Sequence, residues 1–257
     1  MSDTPYDRET VFPEPAGQAG PLIEYKVASR NENFSPHFFT YFTLAFLLLG
    51  YPGLALLGGG EDPLKLLADM SPGVLIVLLL ATIAFQWASF FLVLWTTYVE
   101  KTGLAGLGFT PFNKVYLAWT IAFLLVSNLF LSGVAWVLGK VGMPMPGEIA
   151  FLIPQDAFGR VIWVAVSATA GICEEAMFRG YLMTRLRILG KFKSWVIPTV
   201  VSSIAFGICH AYQGIPGLIV ITLYGALFAL LYIRTGSIWP GVLAHFLQDT
   251  GAIFYPR

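Results

Sequence analysis

Seven stretches of this chain are long and apolar enough to be read as bilayer-crossing helices, and no other feature constrains its fold as much. They run over roughly 38–57, 74–98, 115–139, 158–182, 195–212, 217–234 and 237–255. A helix needs about 20 mainly apolar residues to traverse the hydrocarbon core. The strands of a membrane β-barrel are about half as long and alternate apolar with polar residues, which these stretches do not. The expectation is therefore an all-α polytopic membrane bundle of about seven helices, bounded by six and eight. Composition agrees, since 56% of residues are hydrophobic and only 12% charged, roughly half the charged share of a soluble domain. The chain has no internal repeat, so the inverted-repeat architecture of many transporters finds no support.

The first 37 residues differ from the rest. They carry Asp3, Asp7, Glu9, Glu14, Glu24 and Glu32 against Arg8, Lys26 and Arg30, which predicts a flexible, mildly acidic tail. This tail lacks the short apolar core of a secretory signal. The chain thus divides into a tail over 1–37, three apolar helices over 38–139, and a region over 155–255 that holds the intramembrane ionisable groups. Net charge is zero and the tail has no basic run, so no nucleic-acid partner is expected. Cys173 and Cys209 lie in apolar stretches and read as small hydrophobes, not as a disulfide framework. With Arg179 set aside, the tail and the second, fourth and sixth connections hold ten Lys and Arg, and the opposite side holds four. The excess predicts a cytoplasmic amino terminus in the plasma (cell inner) membrane. Arg185, Arg187, Lys191 and Lys193 of the fourth connection contribute most, and an odd number of spans would put the carboxyl terminus outside.

The first three stretches contain no Asp, Glu, Lys, Arg or His, whereas stretches four, five and seven contain Glu174, Glu175, Arg179, His210, His245 and Asp249. Ionisable groups at membrane depth cost several kcal/mol unless partnered or hydrated, which makes them functional candidates. Glu175 and Arg179 are four apart with the acid first, the order that forms an ion pair on a helix. Glu174 points about 100° away from Glu175 at 3.6 residues per turn. It is left without that partner and available as a general base. Phe206 and His210 lie one turn apart, as do His245 and Asp249, so each pair shares a face. Three helices thus offer a carboxylate, an imidazole, and an imidazole with a carboxylate. This set can activate a water and stabilise an oxyanion, or hold a metal. At 1.5 Å per residue, Glu174, His245 and Asp249 fall about 10–20 Å from the cytoplasmic ends of their stretches, while His210 falls about 20 Å or deeper.

Other polar residues have plainer readings. Phe206 reads as packing, His37 as an interfacial residue, and Gln86 and Asn128 as interhelical hydrogen bonds. Pro240 is tolerated because it opens the last helix, where its missing N–H needs no partner. The chain has no H-E-x-x-H and no G-x-G-D. The candidate serine motif at Leu131-Ser132-Gly133 lacks its leading glycine, because position 130 is Phe130.

Three segments in order, Glu174-Glu175-x-x-x-Arg179, Phe206-x-x-x-His210 and His245-x-x-x-Asp249, resemble the E-E-x-x-x-R, F-x-x-x-H and H-x-x-x-N/D motifs of the CPBP (Abi) family. That family unites type II CAAX prenyl endopeptidases with bacteriocin-immunity proteins, and the resemblance covers about 158–252. It implies a glutamic-type intramembrane peptidase in which Glu174 is the base and His210 holds and polarises the water. His245 and Asp249 would line the oxyanion site, and Arg179 would fix Glu175. The implied partners are the lipid bilayer and a membrane-anchored or lipidated protein substrate, with no cofactor. Relatives often carry Asn at the last position, and an ionised Asp249 has no proton to give an oxyanion. Asp249 is then protonated, or orients His245, or binds a cation. The last option leaves zinc open, with Glu174, His210, His245 and Asp249 as its ligands. Two other functions use the same residues differently: a non-enzymatic immunity or scaffold protein that keeps the network for packing, and an ion-coupled carrier that uses it as a relay.

Overall fold

The computed structural model describes residues 30–31, 33–57, 70–145 and 152–254. Most of the expected tail lies outside the described residues. All seven apolar stretches are helical. The first is a composite of α1 (Phe38–Ala45), a π turn (Phe46–Gly50) and α2 (Tyr51–Leu57). Then come α3 (Pro72–Val99), the short α4 (Gly103–Gly106) and α5 (Val115–Lys140). The fourth stretch is a continuous rod of α6 (Ala157–Glu174), a π segment (Glu175–Met183) and α7 (Thr184–Leu189). The chain closes with α8 (Val196–Ile208), a 3-10 turn (Ala211–Gln213), α9 (Gly214–Thr235) and α10 (Trp239–Gly251).

Local chemistry sets several boundaries. Ser71 caps α3 by accepting from the Val74 N–H at 3.4 Å, with Pro72 in the first turn where it needs no donor. Asp156 caps α6 by accepting from the Gly159 N–H at 2.9 Å. Gly236 ends α9 in the left-handed conformation at φ 62°, where glycine is unstrained, and donates back to the Tyr232 carbonyl. At the mouth of α1, the His37 N–H donates to Thr40 Oγ1 at 3.0 Å, so His37 marks a helix start.

Five of the seven helical stretches are long and apolar enough to cross a membrane. The two exceptions, α8 and α10, have 13 residues each. At 1.5 Å per residue they reach about 20 Å, against a hydrocarbon core of about 30 Å. Helix length therefore gives no support to seven full crossings, or to the carboxyl-terminal side deduced from an odd count. The α6 rod is the centre of the bundle: 56% of its most apolar window is buried, against 11% for α5. α3 and α10 both pack on α6, α8 packs on α9, and α5 leans on α9 and α10. The outer helices turn residues such as Leu125 and Leu129 outward, as lipid requires. The α6–α10 crossing is close: a Cβ at Gly171 would come 2.8 Å from the Val242 carbonyl oxygen, so the position accepts only glycine.

The sequence reading places Arg185 and Arg187 in a connection, but the helix runs on to Leu189 and both are buried. The physical reason is a buried acid. Glu100, just after α3, accepts from Arg185 Nε at 2.8 Å, pairs with Nη2 at 2.8 Å, and accepts from the Tyr181 hydroxyl at 3.0 Å. Arg185 also donates to Asn31 Oδ1 and Thr102 Oγ1, each at 2.8 Å. Residues 30 and 31 are thereby docked on the bundle, with Arg30 donating to the Gly236 carbonyl.

Candidate active site

The two adjacent glutamates fall at the junction where α6 changes to the π segment, and all nine residues of that segment are buried. A π turn inside an α-helix widens the backbone and re-aims its side chains. Glu175 pairs with Arg179, Oε1 to Nη1 at 3.0 Å, with both side chains 1% exposed. Arg179 also donates to the Gly225 carbonyl at 3.2 Å. Its guanidinium lies 4.2 Å from the Phe206 ring centre and 5.2 Å from that of Phe228. A carboxylate, a carbonyl and two ring faces together offset the cost of burying this charge. Phe206 is thus packing, as its spacing suggests, and it also supports the arginine.

Glu174 has different partners. Its Oε1 accepts from Gln86 Nε2 of α3 at 2.7 Å. Its Oε2 is buried, has no hydrogen-bond partner among the described residues, and faces His245 Nε2 at 3.8 Å. His245 of α10 stands amid three carboxylates. Nε2 is 3.6 Å from Asp249 Oδ2, and Nδ1 is 3.4 Å from Glu175 Oε1. Its ring lies on that of Phe228, with centroids 5.3 Å apart and planes 28° apart. Asp249 is the most accessible member, its side chain one-third exposed, and its backbone carbonyl accepts from Trp163 Nε1 at 2.9 Å.

His210 is held apart from this group. α8 runs from Val196 to Ile208, so His210 follows its far end, and the start at Val196 leaves the greater depth read from the sequence as it was. Its Nδ1 lies 3.0 Å from the Phe206 carbonyl. A carbonyl only accepts, so Nδ1 carries the proton and Nε2 is left as the acceptor. The Phe206 ring neighbours both imidazoles, its centre 4.9 Å from that of His210 and 6.3 Å from that of His245. Among the described residues no group of three His, Cys, Asp or Glu side chains is arranged to hold a metal ion.

Two contributors to the site carried a weak signal in the sequence or none. Gln86 shows itself as a lone amide in an apolar stretch. Asn128, its counterpart in α5, does what an interhelical amide is expected to do and donates to Gln248 Oε1 at 2.8 Å. Gln86 also bonds between helices, but its acceptor is a candidate catalytic carboxylate. Gly241 has no signal at all; a Cβ there would come 2.9 Å from Glu175 Oε2.

The fold and site together describe an integral membrane protein with a buried carboxylate and imidazole cluster. Residues 156–251, which contain all three motifs, match the family described as "Type II CAAX prenyl endopeptidase Rce1-like". Over this segment the chain is similar to that family, in agreement with the resemblance of its three motifs to those of the CPBP family. It is also similar to "Putative membrane peptidase YdiL" of Bacillus subtilis (strain 168), 32% identical over 139 residues, which cover 52% of this chain and 54% of that one. The chain thus aligns with about half the length of that curated relative. No solved structure matches it.

Proposed function

We propose that the protein is an intramembrane endopeptidase that hydrolyses a peptide bond of a membrane-associated or lipidated protein with a water activated by Glu174. The observation that carries this reading is the state of Glu174. One oxygen is fixed by Gln86, while the other is buried and unpartnered beside an imidazole. A general base must be held in place yet keep one lone pair open for the proton it takes.

In this reading Glu174 Oε2 accepts a proton from water as the water oxygen bonds to the scissile carbonyl carbon. The carbonyl π electrons move to oxygen, and His245 donates a hydrogen bond to the resulting oxyanion. Asp249 orients His245, supported by the 3.6 Å approach of the two side chains. His210 presents Nε2 toward the water. When the intermediate collapses, the C–N bond breaks and the proton held by Glu174 passes to the leaving amine. Glu175 and Arg179 take no proton and hold the rod. No step passes through a metal. The bilayer is the partner that delivers substrate, and the basic residues Lys101, Lys114, Lys191 and Lys193 at one end of the bundle favour a cytoplasmic amino terminus.

The test is site-resolved proteomics of membrane and exported proteins from cells carrying the parent or Glu174→Gln. The reading expects a set of new peptide termini that disappears in the variant. Identical termini in both strains, with equal protein levels, would overturn it and leave the immunity or scaffold role.

A further inference from the structure

Gln86 lies far outside the matched segment, on α3, yet it makes the only hydrogen bond to the Glu174 side chain among the described residues. Its side chain is buried, and the donor–acceptor distance of 2.7 Å is short for an N–H···O bond, as expected with a charged acceptor. Only the amide nitrogen can face an ionised carboxylate, because the amide oxygen has no proton to give. The neighbouring residue also bonds to α6: Trp87 Nε1 donates to Thr169 Oγ1 at 3.1 Å. Two adjacent residues of α3 therefore grip the same helix, one at Thr169 and one at Glu174. Of the two, only Gln86 touches a candidate reacting group.

We propose that Gln86 is a positioning residue for the reaction: by holding Oε1 it selects Oε2 of Glu174 as the atom that receives the proton of water. This rests on the peptidase reading above and adds a residue to it. A carboxylate on a flexible side chain has two equivalent oxygens and free rotation about its last bond. The amide removes both freedoms and leaves Oε2 toward His245. A bond serving packing alone would be replaceable by any apolar side chain of the same shape, as the Trp87 bond should be.

The experiment compares Gln86→Met, which keeps length and volume without the donor, with Trp87→Phe, which removes only the neighbouring bond. Misplacement of a reacting group by about 1 Å can cost about a hundredfold. Gln86→Met is accordingly expected to lose ten- to a hundredfold in kcat with KM nearly unchanged, while Trp87→Phe keeps kcat. Infrared difference spectra give a readout that needs no substrate: the carboxyl band identified by its loss in Glu174→Gln shifts in Gln86→Met and stays in Trp87→Phe. If Gln86→Met does not accumulate, Gln86→Leu carries the same test, since it keeps most of the volume and has no donor. Parent-like kcat in the Gln86 variant, or a Glu174 band that does not move, overturns the proposal. If Glu174→Gln itself keeps the parent's activity, the peptidase reading fails, and the infrared band still decides whether Gln86 holds Glu174.

Discussion

Two charged clusters are buried along the same helical rod, six residues apart at Arg179 and Arg185, and they are finished differently. In the Arg185 cluster Nε, Nη1 and Nη2 all donate, and both oxygens of Glu100 accept. In the Glu174 cluster Glu174 Oε2, His245 Nδ1, Gln86 Oε1, Glu175 Oε1 and Arg179 Nη1 are buried without a hydrogen-bond partner among the described residues, although the last two face each other as an ion pair. Burying an unsatisfied polar atom costs about 1–3 kcal/mol, so a cluster kept only for stability tends toward the Arg185 pattern. Open valences beside an imidazole and three carboxylates mark a candidate place for proton exchange. Saturation separates the two clusters more sharply than burial does, because the cores of both are buried.

The largest effect expected from this contrast is on turnover. Glu174→Gln keeps shape and the contact with Gln86 through a flipped amide, but cannot take a proton. Activity should fall by two to four orders of magnitude, about the contribution of a positioned base, with thermal stability near that of the parent. Parent-like cleavage would show the open valence to be inert. Arg185→Ala should do the reverse. It leaves Glu100 charged and unpaired, which costs about 3–5 kcal/mol, and thermal unfolding in detergent should show the loss while any remaining folded protein cleaves normally. Loss of activity with no change in stability would erase the distinction between the clusters.

Arg179→Ala sharpens the comparison, because Arg179 carries the ion pair of the open cluster. Its removal strands Glu175 at several kcal/mol, and adding Glu175→Gln should restore most of the stability. Equal destabilisation in the single and double variants would show that the 3.0 Å pair contributes nothing. The smallest effect is expected for Asp249→Asn, since Asp249 is one-third exposed and serves His245 from its edge. The amide keeps the size and a donor, so much of the activity should remain. Stoichiometric zinc in the purified parent, lost together with activity in Asp249→Asn, would overturn that expectation, because an amide is a far poorer metal ligand.

Local features of the site were legible in the sequence because helical periodicity fixes them. The Glu175–Arg179 pair is an i, i+4 contact, and His245 and Asp249 share a face for the same reason. Apolar run lengths gave the seven helical stretches, because a chain in lipid must satisfy its own backbone within each segment. The isolation of charges in stretches four, five and seven drew attention to the part of the chain that carries the candidate site, since lipid tolerates few of them.

Tertiary structure decided everything that depends on contacts across long sequence separations. Gln86 and Glu174 lie 88 residues apart, and no periodicity relates them. Arg185 looked like a loop charge because Glu100, Asn31 and Thr102, its partners, come from other segments. The change from α to π geometry at Glu175 leaves no mark on composition, since it responds to the packing around the rod. The early end of α8, which leaves His210 outside the helix and beside the Phe206 ring, hangs on the turn at Ala211–Gln213 and Gly214, where φ is 70°. Short-range hydrogen bonding and the solvent are properties a sequence carries with it, whereas which buried valences remain open depends on which helices meet.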